Sequence, residues 1–229
     1  RDVAVTGVQT CALPICYLLI DMKSPGISIR PVHTLGGHRV NEIFFDQVRV
    51  PVANRIGEEN RGWDYAKFLM GNSRLNVARL GLATGRIQKA KAIAAQVCAD
   101  GRPLAEQARL RERLALLEVE LKATEITNMR IVADQLKRSG SKQQDPKASI
   151  LKLEGAKLQQ QSAELLLDLA GPHAMATQEE FLDGHTDEVL GPAWGPGIAS
   201  TYFMCRSISI AGGSNEVQHN IIAKRILGL

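Results

Sequence analysis

Two adjacent glycines near the end of the chain, Gly212 and Gly213, predict a tight turn that side chains would obstruct. Ser214 follows them and is a residue type that caps helices, because its side-chain oxygen accepts a hydrogen bond from a backbone N–H of the first turn. A turn that leads into a capped helix presents free backbone N–H groups, which suit a phosphate or the polar edge of a cofactor. An ordinary capped helix without a ligand is the alternative, and the pattern alone leaves both open.

The C-terminal segment, residues 208–229, reads ISIAGGSNEVQHNIIAKRILGL. After the glycines, apolar residues recur at helical spacing, which predicts a helix with one apolar face: Val217, Ile221, Ile222 and Ile226. Lys224 and Arg225 lie near the end of this helix, where cations interact favourably with the helix dipole.

Two stretches of the chain, in the right order, resemble the acyl-CoA dehydrogenases. Residues 209–229 resemble the C-terminal signature of that family, and residues 17–74 resemble the passage where its central β domain ends and its helical domain begins. The sequence of these two stretches most resembles the pimeloyl-CoA dehydrogenase large-subunit branch of the family. The resemblance implies an FAD-binding enzyme that desaturates an acyl- or dicarboxylyl-CoA thioester. It also implies the end of a truncated β domain over residues 16–57 and a C-terminal helical domain over residues 58–229.

The residue patterns favour the same mainly α fold, in which the last strands of a β domain precede an antiparallel four-helix bundle. Alternating apolar residues predict strands over residues 27–32 and 41–50. Apolar residues at helical spacing predict long helices over residues 63–97, 110–136, 146–170 and 198–208. Gly71, Gly81 and Gly85 weaken the first of these helices, and we expect them to let neighbouring backbones approach closely.

In the resembled family, a carboxylate base removes the α-proton of the thioester while the β-hydrogen leaves as hydride to the flavin. Most members carry this glutamate directly before the glycine of the C-terminal signature, where this chain has Gly212. Another branch carries it on the first long helix, where this chain has Ser73 ahead of Arg74. Neither glycine nor a serine without an activating base takes a carbon-bound proton, so no catalytic residue is identified. Glu216 is the remaining candidate for the base.

The resemblance also implies contacts to FAD at four positions of the C-terminal segment, namely Gly212, Gly213, Ser214 and Glu216. It implies contacts to acyl-CoA at Asn72 and Arg74, for which a plain surface pair is the alternative. Two other flavin-binding stretches of the family are missing. Residues 100–104, DGRPL, replace Arg-x-x-Phe-Gly, and residues 169–172, LAGP, replace Gln-x-x-Gly-Gly-x-Gly. Cofactor binding is therefore predicted to be atypical or to depend on a partner subunit.

The charge, the apolar runs and the cysteine spacing limit the kinds of partner and site that the sequence predicts. The net charge is +4 with both signs interspersed, which implies neither a nucleic-acid nor a membrane partner. No apolar run approaches the length of a membrane span. The four cysteines show no disulfide or metal-ligand spacing, so no metal site is predicted and a reducing cytoplasm is the expected location.

The start of the chain is unusual. Residues 5–15, VTGVQTCALPI, match the translation of a common sequencing-adapter read, so residues 1–15 are predicted to be an assembly artefact. Because the sequence does not begin with Met, we interpret it as a fragment. We expect such a fragment to be inactive alone, since most of the flavin pocket would be missing.

Three functions remain open at this stage. The first is an FAD-dependent acyl-CoA dehydrogenase that passes electrons to an electron-transfer flavoprotein or a similar acceptor. The second is a structural subunit of a hetero-oligomeric dehydrogenase whose partner supplies the base. The third is a flavin monooxygenase on the same fold. A homo- or hetero-oligomer is expected, because the helical bundle of the family normally packs into dimers of dimers.

Overall fold

A computed structural model describes residues 15–72, 78–137, 145–176 and 178–229. The chain forms two compact units, one ending at Asn72 and the other beginning at Ser73. No helix in the described ranges is both long enough and apolar enough to cross a membrane. The predicted artefact, residues 1–15, lies outside the described residues except for Ile15, and that prediction stays untested.

The first unit contains a β-hairpin in which β2 (Ile27–His33) pairs with β3 (Arg39–Phe45) in antiparallel register, with Ile29 opposite Ile43. Its strands are largely exposed, as expected for a ribbon of only two strands. The strand predicted over residues 41–50 was wrong at its end, because β3 stops at Phe45 and does not continue to residue 50. Gln47 adopts a positive φ of 50°, which a β-strand cannot accommodate.

A second small ribbon pairs β1 (Tyr17–Leu18) with β4 (Arg55–Ile56), a strand that the sequence patterns missed. Helix α1 (Gly62–Asn72) follows it in the same unit. The backbone N–H of Gly62 donates to the carbonyl oxygen of Ile15 at 2.8 Å, which ties the start of α1 to the chain just before β1.

The second unit is helical. Its helices are α2 (Leu80–Gln96), α3 (Ala108–Lys137), α4 (Ala148–Ala170), the short α5 (Glu179–Leu182), α6 (Ile198–Arg206) and α7 (Asn215–Ile222). A tight hairpin of β5 (Cys98–Ala99) and β6 (Arg102–Pro103) connects α2 to α3. The predicted mainly α fold is confirmed.

Helix α4 is the centre of this unit, because it packs against α2, α3, α6 and α7. The core is formed by small and aliphatic side chains, and burial of each leucine or isoleucine stabilises the fold by about 1.5–3 kcal/mol. The buried members from the three longest helices are Ala83, Ile87, Ala90, Ile93, Leu114, Leu117, Leu121, Leu158, Leu165, Leu166 and Ala170.

The helix predicted over residues 63–97 is not one continuous helix. Helix α1 ends at Asn72 and α2 begins at Leu80, after Arg79 with a positive φ of 43°. The expected close backbone approach at Gly81 and Gly85 was wrong, because a Cβ at either position would meet nothing within 4 Å. A close approach does occur at Gly155 of α4, which the sequence patterns did not single out.

The apolar stripe predicted along α3 is correct only for its first half. Leu114, Leu117 and Leu121 are buried, whereas Met129 is 66% exposed and Leu136 is 73% exposed. The first half of α3 lies against α2 and α4, and the leucines there join the core that these helices share.

Candidate functional site

The C-terminal segment contains the predicted turn. Gly212 and Gly213 have φ values of 73° and 96°, a region of backbone conformation that residues with a Cβ rarely adopt. A Cβ at position 213 would also lie 2.6 Å from Nε2 of Gln218. Both glycines are exposed. The turn therefore presents its backbone at the surface in a conformation that requires glycine.

Ser214 caps α7 as predicted, because its Oγ accepts a hydrogen bond from the backbone N–H of Val217 at 3.4 Å. Within the part of the chain that the structure describes, no hydrogen bond engages the backbone N–H groups of Gly212, Gly213 or Ser214. These donors lie at the positive end of the α7 dipole, where an anionic or strongly polar group would be favoured.

Glu216 lies in the first turn of α7 and is exposed. Its own backbone N–H and the hydroxyl of Ser214 both hydrogen-bond its carboxylate, and these bonds hold the pKa of Glu216 below its usual value. A proton-abstracting base for a carbon acid works best with a raised pKa. The environment of Glu216 therefore favours a hydrogen-bonding role over that of the catalytic base.

The buried face of α7 differs from the predicted apolar face. Gln218 is fully buried, whereas Val217 is 48% exposed and Ile226 is 38% exposed. Neither amide atom of Gln218 forms a hydrogen bond within the described residues. The helix also ends earlier than predicted, because Ala223–Leu227 forms a wider π-helical turn before Gly228.

Lys152 of α4 lies beneath this segment and was not expected at a site. Its side chain is fully buried, and its Nζ donates to the carbonyl oxygen of Ser209 at 3.0 Å and to Oδ1 of Asn215 at 2.7 Å. Burial lowers the pKa of Lys152, and the negative charge of Glu216 opposes part of that effect. No local sequence signal marks this burial, because Lys152 shares a helix face with the polar Ser149 and Gln159 as well as with Ala156.

The predicted acyl-CoA residues are described only in part. Asn72 is the last residue of α1, and nothing is described of its side chain. Ser73 and Arg74 lie outside the described residues. Their roles stay predictions. In the described ranges, no group of three or more His, Cys, Asp or Glu side chains is arranged to hold a metal ion.

Comparison with known proteins gives a family match over most of the chain. The model of the acyl-CoA dehydrogenase C-terminal domain matches residues 60–227. The chain is 31% identical over 217 residues to the acyl-CoA dehydrogenase IpdE1 of Mycobacterium tuberculosis, covering 93% of this chain and 50% of that protein. It is 28% identical over 222 residues to the acyl-CoA dehydrogenase FadE26 of the same organism, covering 94% of this chain and 52% of that protein. The chain thus spans about half the length of these curated relatives.

Solved structures show the same fold. The structure of the ChsE4-ChsE5 complex from Mycobacterium tuberculosis has a TM-score of 0.76 and 27% identity, covering 93% of this chain and 53% of that chain. The structure of glutaryl-coenzyme A dehydrogenase in complex with glutaryl-CoA has a TM-score of 0.73 and 20% identity, with coverage of 93% and 50%. The second likeness is one of fold alone.

Proposed function

Because the chain belongs to the acyl-CoA dehydrogenase family, we propose that the protein is an FAD-dependent oxidoreductase that forms a Cα–Cβ double bond in an acyl- or dicarboxylyl-CoA thioester. The observation that carries this proposal is the exposed turn at Gly212 and Gly213, which precedes the capped helix α7. Residues with side chains would obstruct this turn, and a helix N-terminus suits a polar cofactor group.

The residues present fit a flavin. The free N–H groups of Gly212, Gly213 and Ser214 can donate to carbonyl or phosphate oxygens, and Glu216 can accept from a hydroxyl or amide of the cofactor. Bound FAD would supply the redox chemistry by accepting the β-hydrogen as hydride. The chain itself would orient the cofactor edge and limit its movement at the start of α7.

We assign no described residue of this chain as the base that removes the α-proton. Gly212 has no side chain, and the carboxylate of Glu216 is exposed and lies beside its own backbone N–H and the Ser214 hydroxyl, which lower its pKa and favour its charged form. We therefore propose that the carboxylate comes from outside the described residues, either from the same protein or from a partner subunit.

A structural subunit of a hetero-oligomeric dehydrogenase is the second candidate, and two observations favour it. The position of the family base at the C-terminal turn is occupied by Gly212, and a solved relative at 27% identity is described as a complex of ChsE4 with ChsE5. In this candidate the partner supplies the base, and the present chain supplies the turn beside the flavin.

The substrate and electron acceptor follow from the same proposal. Asn72 and Arg74 would contact the acyl-CoA, and an electron-transfer flavoprotein or a similar acceptor would reoxidise the flavin. A homo- or hetero-oligomer would be the working form.

The test uses the natural full-length protein, expressed alone and together with homologues encoded beside it. The flavin absorbance spectrum is recorded, and a panel of acyl- and dicarboxylyl-CoA thioesters is added without oxygen. Bleaching of the flavin in the protein expressed alone would support the dehydrogenase with its own base. Bleaching only in the co-expressed complex would support the structural-subunit candidate.

Two outcomes would contradict the proposal. Absence of bound flavin in both preparations would remove FAD from the function. Oxygen consumption coupled to an oxygenated product, without anaerobic bleaching, would instead indicate a flavin monooxygenase. Gly213→Ala tests whether the turn binds the flavin, and it should weaken flavin binding. Gly101→Ala is its control, because position 101 also has a positive φ, of 75°, but lies in the β5–β6 hairpin outside the C-terminal segment. It should bind flavin as the unaltered protein does.

A further inference from the structure

Lys152 is a fully buried cation in the interface between α4 and α7. Its Nζ donates to neutral oxygens of Ser209 and Asn215, and the carboxylate of Glu216 acts on it as a nearby opposite charge. Removing an ammonium group from water is costly unless hydrogen bonds replace the lost solvation. These two bonds are therefore the contacts that make burial of Lys152 tolerable.

The two acceptors flank the glycine turn. The carbonyl of Ser209 precedes it, and Asn215 is the first residue of α7 after it. A single ammonium group thus joins the two ends of residues 210–214 at 3.0 Å and 2.7 Å. Any rearrangement that separates these ends removes at least one of the two hydrogen bonds from a buried charge, and that cost favours the observed turn conformation.

A second set of hydrogen bonds connects the end of α6, which precedes the turn, to α4. Nε2 of Gln160 donates to the carbonyl oxygen of Cys205 at 3.2 Å, and Nη2 of Arg206 donates to the carbonyl oxygen of Gln160 at 3.2 Å. Helix α4 therefore fixes the end of α6 independently of Lys152. The segment that Lys152 restrains is the turn and the start of α7.

We propose that Lys152 is a positioning residue for the turn at Gly212 and Gly213, holding its free N–H groups in the arrangement that receives the cofactor. The expected effect of Lys152 on FAD affinity rests on the function proposed above. Its effect on the conformation of the turn does not. Lys152 acts through Ser209 and Asn215 and does not itself contact the cofactor.

The experiment compares the natural protein with Lys152→Met, which keeps the apolar stem and removes the ammonium group. Amide hydrogen exchange is measured for the hydrogen-bonded amides that flank the turn and, as an internal reference, for the core helix α2. The flanking amides are those of Ile210, Ala211, Val217 and Gln218. We expect exchange at these flanking amides to rise about tenfold while exchange in α2 is unchanged, because loss of the Lys152 ammonium group removes the hydrogen bonds that restrain both ends of the turn. FAD affinity should fall by a similar factor.

Asn215 offers a matched pair of variants in case Lys152→Met does not fold. Asn215→Ala removes one acceptor, and Asn215→Asp keeps an acceptor of the same shape and adds a negative charge near the α7 N-terminus, where it is favoured. We expect faster exchange of the same flanking amides in Asn215→Ala and unchanged or slower exchange in Asn215→Asp.

Equal exchange in the natural protein, Lys152→Met and Asn215→Ala would overturn the proposal. So would a uniform rise that includes α2, because that indicates general destabilisation and not positioning of the turn. If the natural protein binds no FAD, the proposed function fails, and the exchange measurements still decide the role of Lys152.

Discussion

Gly155 of α4 and Ala78, just before α2, approach so closely that a Cβ at position 155 would lie 2.5 Å from the Cα of Ala78. The neighbouring Gln159 donates from Nε2 to the carbonyl oxygen of Ala78 at 3.1 Å, so the contact is held by a hydrogen bond as well. Because backbone atoms on both sides cannot move apart without disturbing two helices, this contact fixes how α4 passes the start of α2.

Gly155→Ala should therefore destabilise the protein by about 1–3 kcal/mol, the usual cost of inserting a methylene into a packed site. Gly81→Ala is the matched control, because position 81 is also in a helix and has open space around it. Alanine there should stabilise the protein by about 0.5–1 kcal/mol through its higher helix propensity. Both values are measured by denaturant unfolding. Equal effects of the two changes would contradict the close approach at Gly155.

Gly213→Ala tests the turn itself. Alanine at a φ of 96° costs about 1–2 kcal/mol, and its Cβ would in addition push against Nε2 of Gln218. Gly101→Ala has the same kind of backbone cost, at a φ of 75°, with nothing near its Cβ. We expect Gly213→Ala to lower the free energy of unfolding more than Gly101→Ala does, and to weaken FAD binding, which Gly101→Ala leaves unchanged. Equal FAD affinity in the two variants would argue against this turn as part of the cofactor site.

Glu216 should make stability depend on pH in the acid range. Its pKa in the folded protein is lowered by its own backbone N–H and by the hydroxyl of Ser214. Its ionised carboxylate therefore stabilises the fold fully above the ordinary glutamate value of about 4.3, and this contribution is lost as the pH falls through the lower folded-state pKa. Glu216→Gln should be less stable than the natural protein at neutral pH, and the difference should shrink as the pH falls through the lowered folded-state pKa of Glu216.

Denaturant unfolding at a series of pH values measures this difference. Ser214→Ala provides the control, because it removes one of the two hydrogen bonds that lower the pKa of Glu216. The effect of Glu216→Gln should be smaller in the Ser214→Ala background. A difference that is constant from neutral to acid pH would show that the ionised carboxylate of Glu216 does not stabilise the fold.

The turn at Gly212 and Gly213 and its cap at Ser214 could be predicted from the sequence, because their requirements are local. A positive φ selects glycine, and a helix N-terminus selects a short polar side chain, whatever the rest of the chain does. The bounds of α3 and α4 followed in the same way from apolar spacing that persists over many turns.

Lys152 and Gln218 could not be predicted, because burial of a polar residue depends on partners that are distant in sequence. A lysine is normally exposed, and only the approach of Ser209 and Asn215 makes its burial possible. Similarly, the helical spacing of apolar residues in α7 predicted that Val217 faces inward, yet packing against α4 places Gln218 there instead. Tertiary contacts, and not local propensity, decide which face of a short helix is buried.

Gly212→Glu tests whether the missing carboxylate can be restored at the position where most of the family carries its base. Any side chain at a φ of 73° costs about 1–2 kcal/mol, so Gly212→Gln is the matched control with the same backbone cost and nearly the same shape. Only the glutamate brings a group that can take the α-proton. If the protein is an acyl-CoA dehydrogenase whose base comes from a partner, the glutamate variant expressed alone should show anaerobic flavin bleaching with an acyl-CoA, and the glutamine variant should not. Equal behaviour of the two variants, with flavin bound in both, would mean that a carboxylate at position 212 is not sufficient for proton abstraction, and the base would then have to act from another element.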